Sequence, residues 1–425
     1  MKKTFLLSCL MLAAMPVMAA YTGHVYVDKN KNGVFDQSEK PLAGIKVSDG
    51  LNVVETAADG SFTLPGHERE RFIFITTPSG YKTFNRHYHK IEKKQSGYDF
   101  GLIPYSGRIR KNGSHRYIHI ADTEIFNTEN HADWVNNVRD YARNEQAAFI
   151  IHTGDICYEK GLKAHIKLMN TENMDCPVFY CIGNHDLVKG KYGEELFESI
   201  YGPVYYSFDA GNVHYVVTPM PGGDHAPGYT SDDVCRWLKN DLAHIRPGTP
   251  VVVFNHDLLT YEDTFIFKSK NAGSINLNEY NLKAWVYGHW HINYMKKQGD
   301  VYSVCTSSLD KGGIDHSTTA FRVMHVDSKG DFTSELRYTY LDKNICIASP
   351  AGVMASGVLP VAVNVYSSVS PVREVLYTCL ADGKPVLKNK RLLQSTDWSW
   401  NGELPLSHKY VGCLLYTSPS PRDRS

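Results

Sequence analysis

Two rhythms of apolar residues divide the chain. Between residues 21 and 104, short segments at 24–27, 44–47, 60–64 and 72–76 alternate apolar and polar positions and are separated by Gly, Asp and Asn. Side chains on a strand change face at every residue, so this pattern predicts the half-buried strands of a small β-sandwich. From about residue 116 to 340 the rhythm changes. Continuous apolar runs at 117–121, 147–153, 178–182, 213–218, 251–254 and 284–287 read as strands covered on both faces. Between them, Trp134, Val138, Tyr141 and Ala142 share one helical face, and Thr230-Ser231-Asp232-Asp233 offers a capping-box start for a helix through Trp237 to about Ile245. Strands alternating with helices predict an α/β core, with functional groups gathered at the carboxyl ends of the strands. Beyond residue 342 the pattern is β-type again, at 360–366 and 373–380.

The expected plan is therefore a leader over residues 1–20, a β-sandwich over 21–105, an α/β domain over 110–341 and a partial β-rich domain over 342–413. Residues 414–425 have no amphipathic pattern, resemble translated adapter sequence, and are expected to be a non-native tail without functional weight. The leader reading rests on Lys2 and Lys3, an apolar run from Phe5 to Val17, and small residues at Ala19 and Ala20. That run is too short for an ordinary membrane anchor and fits a cleaved secretory signal. Leu6-Leu7-Ser8-Cys9 loosely resembles a lipobox, but it leaves almost no apolar segment before the cysteine, so a lipoprotein is the weaker reading. A soluble protein outside the cytoplasm, periplasmic or secreted, is expected, and no later stretch has the length of a membrane helix.

Composition narrows the chemistry. The 45 basic and 45 acidic residues balance, which removes any global electrostatic reason for a nucleic-acid scaffold or an anionic membrane as partner. The cysteines form no CxxC pair; Cys176 and Cys181 are close enough for a disulfide, but they flank the apolar run Val178-Phe179-Tyr180, where buried free thiols are the expectation. Within the first domain, Asp28, Asn30, Asn32, Gly33, Asp36 and Glu39 reproduce the spacing of a calcium loop, with Asp28, Asn30, Asn32, Asp36 and Glu39 as oxygen ligands for a structural Ca²⁺. No helix is expected before it, so a polar hairpin loop is the alternative.

Five short motifs stand where apolar runs end: Asp122-Thr123-Glu124, Gly154-Asp155, Gly183-Asn184-His185-Asp186, Asn255-His256 and Gly288-His289-Trp290-His291. All offer oxygen or imidazole donors and none a thiolate. A site for two borderline cations needs such donors, one carboxylate able to bridge, and open positions for water and substrate. In order and wording the motifs resemble the calcineurin-like metallophosphoesterase family, secreted bacterial type with flanking β-domains. The likeness covers about 225 residues, and both Gly-Asn-His-Asp and Gly-His-Trp-His occur intact. The resemblance implies a four-layer α/β/β/α sandwich flanked by small β-sandwich domains. It also implies Asp122 and His291 on a first metal, Asn184, His256 and His289 on a second, and Asp155 bridging both. His185 would lie over the phosphate, to stabilise transferring charge or protonate the leaving oxygen, and Asp186, grouped with it, would orient neighbours. Glu124 stands where the family has His. A carboxylate still ligates, and its charge favours Mn²⁺, Fe or Mg²⁺ at that position, with Zn²⁺ the remaining candidate.

The other histidines read as structural: His119 and His152 inside strands, and His214, His244 and His325 at ordinary packing positions. Two loops could line the cleft, Gly222-Gly223-Asp224-His225-Ala226 and the stretch with Asn127, Asn130 and His131. The function implied is hydrolysis of a small-molecule phosphoester, mono- or diester, by a hydroxide activated at a dinuclear metal centre. No Gly-x-Ser-x-Gly elbow or catalytic cysteine signature competes with it. The rivals are a non-catalytic binding or adhesion protein and a pyrophosphatase acting on nucleotide derivatives.

Overall fold

The computed structural model describes residues 21–339 except Ser96, and then 343–350, 357–367, 372–395, 399–406 and 413–416. The expected leader over 1–20, with Cys9, and residues 417–425 lie outside the described residues. Among the described residues no helix is long and apolar enough to cross a membrane.

The centre of the chain forms two mixed sheets packed face to face. Across the first, strands run in the order Val178–Tyr180, Phe149–His152, His115–Ile120, Ala320–Val326 and Phe332–Tyr338. The first three are parallel and the last two antiparallel. Across the second, the order is Tyr206–Ala210, Val213–Val217, Val251–Phe254, Leu282–Tyr287, Val301–Cys305 and Tyr294–Gln298, with the four inner strands parallel. The inner faces meet in one aromatic cluster. Tyr117 and Phe149 of the first sheet stack at 4.8 Å, and Phe149 meets Tyr215 of the second edge-on at 4.9 Å. Such rings bury large areas with defined geometry and hold the two layers together.

Helices cover the outer faces. Ala132–Asn144 turns Trp134, Val135, Val138 and Ala142 onto the first sheet, and Tyr158–Leu168 lies beside it with Leu162 and Ala164 buried. On the other side, Ser231–Ala243 packs Cys235, Trp237, Leu238 and Leu242 against the second sheet. Its start is the expected capping box: Thr230 Oγ1 accepts from Asp233 N at 3.2 Å while Asp233 Oδ2 accepts from Thr230 N at 2.9 Å. The layers are thus α/β/β/α. The hairpin Ala320–Val326 and Phe332–Tyr338 carries no motif, yet its first strand pairs with His115–Ile120 and places that strand at the centre of the first sheet.

Residues Tyr21–Val27 to Phe100–Pro104 form two facing sheets around Val25, Val47, Leu64, Ile73, Ile75 and Leu102. This sandwich leans on the second central sheet. Thr77 bridges to Phe208, Thr76 Oγ1 lies 2.9 Å from Ser207 Oγ, and Arg71 pairs with Glu194 at 2.7 Å and Glu198 at 2.8 Å. The loop with Asp28, Asn30, Asn32, Asp36 and Glu39 closes on itself. Asp28 accepts from the backbone of Asn32 and Gly33, and Glu39 from that of Lys29 and Asp36. Farther along, Lys343–Ser349, Gly357–Ser367, Leu393–Gln394 and Ser399–Leu406 form one sheet and Leu376–Ala381, Lys384–Arg391 and Cys413–Tyr416 another. Cys176 and Cys181 are buried free thiols.

Candidate metal centre

All five motifs stand at the carboxyl ends of central strands, on the same rim of the two sheets. Beyond three of the five strands the backbone enters the left-handed region: φ is 53° at Asp122, 44° at Glu124, 54° at Asp155, 65° at His289 and 49° at His291. For non-glycine residues this conformation costs roughly 1–3 kcal/mol each and persists only where the surroundings enforce it. Here it turns the ligand side chains inward, across the ends of the strands. The glycines beside them are required by close approach. A Cβ on Gly183 would lie 2.2 Å from Asp155 Oδ1, and one on Gly288 would lie 2.7 Å from Asp122 Oδ2.

The converging atoms are arranged for a cation. His256 Nδ1 sits 2.7 Å from the carbonyl of Thr153, which can only accept, so Nδ1 carries the proton and Nε2 presents a lone pair. That Nε2 lies 3.1 Å from Asp155 Oδ2 and 4.0 Å from Asp122 Oδ1 without the alignment of a hydrogen bond. Asn184 Oδ1 is likewise buried with no hydrogen-bond partner among the described residues. His291 Nε2 is 3.4 Å from Asp122 Oδ1 and 3.3 Å from Glu124 Oε1. Buried acceptors aimed at acceptors are costly unless something positive lies between them. In the bare protein, protons take that place. Burial alone would lower His256, but Asp155 and Asp122 raise it to about 9, and hydrogen bonds to Asp122 and then Glu124 raise His291 to about 10. The donor set fits divalent metals. Two compact clusters share one residue: Asp155 with His256 and His289, and Asp155 with Glu124 and Cys157.

Each expected ligand is therefore at the rim. Asp122 and His256 are fully buried, Asp155 nearly so. Asp122 also accepts the backbone N–H of His289 at 3.1 Å, which ties the first motif to the last. Glu124 is in the cluster but shared. Its Oε2 pairs with Lys311, and the hydrogen bond to His291, together with Lys311, holds it near 2. Asp186, grouped with His185 as chemistry-bearing, has no exposure and cannot meet a substrate. It accepts the N–H of Gly183 at 2.9 Å and of Cys157 at 2.8 Å, clasping two motif loops, and burial pushes its carboxyl up to about 7. Its part is to position.

His185 stands at the open side. Its backbone N–H donates to Asp155 Oδ1 at 3.0 Å, and its Nδ1 lies 2.9 Å from Asp224 Oδ2. Of the two loops named as cleft candidates, the one with Asp224 reaches the site. In the other, Asn127 accepts from the backbone of Glu129, and His131 accepts from Trp134 Nε1 and approaches Asp310. Sequence reading did not single out Lys311, and nothing local marks it, since 187 positions separate it from Glu124. Asp257 was also passed over, although it follows a ligand directly; its Oδ1 accepts from Trp290 Nε1 at 3.0 Å. Three of the histidines read as structural have protein partners. His119 meets Thr153 Oγ1 at 2.8 Å, His152 meets Thr123 Oγ1 at 3.0 Å, and His214 lies between Asp209 and Asp241.

Known proteins share these features. A family model for the N terminal of calcineurin-like phosphoesterase matches residues 29–104, and one for calcineurin-like phosphoesterase matches residues 115–293. Purple acid phosphatase 13 of Arabidopsis thaliana is 26% identical over 215 residues, 47% of this chain and 36% of that relative. The chain thus spans about a third of the length of that curated relative. Among solved structures, an archaeal phosphodiesterase shares 13% identity at a TM-score of 0.27, covering 52% of this chain and 99% of its own. Vacuolar protein sorting 29 of Cryptosporidium parvum shares 11% at 0.29, covering 69% and 98%. With two models of one family matched over residues 29–104 and 115–293, more than half of the chain, and the motif residues assembled on one rim, the chain belongs to the calcineurin-like phosphoesterases, a family of metal-dependent hydrolases.

Proposed function

We propose that this protein hydrolyses a small-molecule phosphoester at a dinuclear metal centre, outside the cytoplasm. The observation that carries the reading is the convergence of the unpartnered His256 Nε2 with the carboxylates of Asp122 and Asp155, together with a buried Asn184 Oδ1 that has no hydrogen-bond partner among the described residues. Asp122, Glu124 and His291 would hold one cation, Asn184, His256 and His289 the other, and Asp155 both. When bound, two divalent ions supply Lewis-acid charge neutralisation and acidify water. The carboxylate-rich first position favours Mn²⁺, Fe or Mg²⁺. The extracytoplasmic location rests on the N-terminal sequence alone.

The chain's own groups do the rest. Asp186 and the left-handed turns hold the ligands in register, and the Thr153 carbonyl fixes the tautomer of His256. His185, steadied by Asp224, stands where it can contact a phosphate oxygen and give a proton to the leaving oxygen. No side-chain nucleophile is needed. Two substitutions test the reading through metal content and turnover of phenyl phosphate and bis-phenyl phosphate. Asn184→Ala should lose metal, whereas His185→Ala should keep it and lose at least about a hundredfold in rate. Wild-type protein that retains no metal and turns over neither ester would overturn the reading.

A further inference from the structure

Beside the metal centre lies apolar surface that the chemistry does not use. Among the described residues eight large apolar side chains are exposed, and four of them, Phe126, Tyr158, Tyr261 and Ile314, belong to segments touching the ligand motifs. Phe126 is 53% and Tyr158 42% exposed. Their rings are nearly parallel, 16° apart with centroids at 6.1 Å, and the Tyr158 ring lies 5.2 Å from that of His185. Lys311, paired with Glu124, closes the far end with its Nζ 6.0 Å from the Phe126 ring. A continuous strip thus runs from His185 over Tyr158 and Phe126 to Lys311.

The strip is held, not incidental. Tyr158 has φ of 52° and follows Cys157 at 77°, conformations that an aromatic residue rarely adopts. Its N–H donates to the carbonyl of His185 at 3.0 Å, which ties its position to the catalytic loop. The Phe126 loop rests on the same helix at Gly161, where a Cβ would lie 2.3 Å from the carbonyl of Ile125. Single exposed apolar residues need no explanation, but a strained, contiguous aromatic strip at the mouth of a site marks ligand contact.

Resting on the proposed phosphoester chemistry, we infer that Phe126 and Tyr158 form a stacking platform for a flat aromatic group carried by the substrate's leaving oxygen. An aryl phosphoester, or a nucleoside phosphoester whose base reaches the two rings, is the class that fits. His185 is the group assigned to that oxygen, and the first surface beyond it is the Tyr158 ring. Two nearly parallel, partly exposed rings offer π-faces, on which any aromatic ring can stack. The ammonium at the end of the strip keeps it wet, which disfavours a long alkyl chain.

The test is equilibrium binding of phenylphosphonate and methylphosphonate to the Mn²⁺-loaded full chain, which differ only in the organic group. The wild type should bind the phenyl compound about tenfold more tightly. Phe126→Ala and Tyr158→Ala should each reduce that ratio severalfold, while Leu393→Ala, an exposed apolar residue of a separate sheet, should not. Equal affinities in the wild type, failure to bind either compound, or a ratio unchanged by both platform variants would overturn the inference. So would a loss confined to Tyr261→Ala, which would place the organic group beside Trp290 instead. Absent hydrolysis of phenyl phosphate bears on the enzymatic reading; the phosphonate ratio still decides the platform.

Discussion

In the proposed chemistry the residue that would meet the substrate is His185, and what steadies it is Asp224, 39 positions later. The carboxylate lies 2.9 Å from Nδ1 and favours the imidazole orientation in which Nε2 faces outward. Both groups are partly exposed, so the coupling is one of orientation more than of charge. Asp224→Asn should therefore keep its metal content and lose roughly 10- to 100-fold in kcat with a smaller change in KM. Equal loss from Asp224→Asn and a variant that strips metal would show a merely structural role. The candidate ligand residues were legible in the chain as five short motifs at the ends of apolar runs, with glycine directly before Asp155, Asn184 and His289. Asp224 was legible only as a loop, and Lys311 not at all.

At the scale of elements, the helices and strands follow local rules. The helix Ser231–Ala243 begins where Thr230 and Asp233 satisfy each other's backbone N–H groups, and it ends two residues short of the Ile245 expected from the pattern. Thr230→Ala should destabilise the protein by about 1 kcal/mol, read as a shift in the urea midpoint at constant slope. No change would mean that the cap is redundant with the packing of Trp237. The apolar runs became strands nearly where expected; Val251–Phe254 coincides and Leu282–Tyr287 starts two residues earlier. The hairpin Ala320–Val326 and Phe332–Tyr338 was not foreseen, since it carries no motif to draw attention to it.

Across the whole molecule, the β-sandwich and the central sheets share buried contacts. Phe72, Phe74 and Tyr88 join the cluster that contains Phe179, Tyr206 and Trp237, and Lys46 reaches Asp209 at 3.7 Å. The interior also stores neutral histidines. Burial pushes His87 and His165 down to about 3 and His115 to about 4. Each folded value lies below that of the unfolded chain. Between about pH 4 and 6.5 the unfolded chain therefore binds protons that the folded one refuses, so stability is present above that window and is lost as pH falls through it. Neither ring nitrogen of His165 has a hydrogen-bond partner among the described residues. His165→Leu should preserve the fold and shrink the drop in Tm between pH 7 and pH 5. An unchanged drop in calorimetry would assign the acid sensitivity to other groups.

The sequence by itself determined the class of fold, because this depends on short-range rules, the apolar period and capping chemistry, and its five motifs named the candidate ligands through their likeness to one family. Only the tertiary structure decided which groups meet across long separations. It brought Asp224 to His185 and Lys311 to Glu124, and set Phe126 beside Tyr158. Those pairings follow from the order of strands in two sheets, which no local pattern encodes.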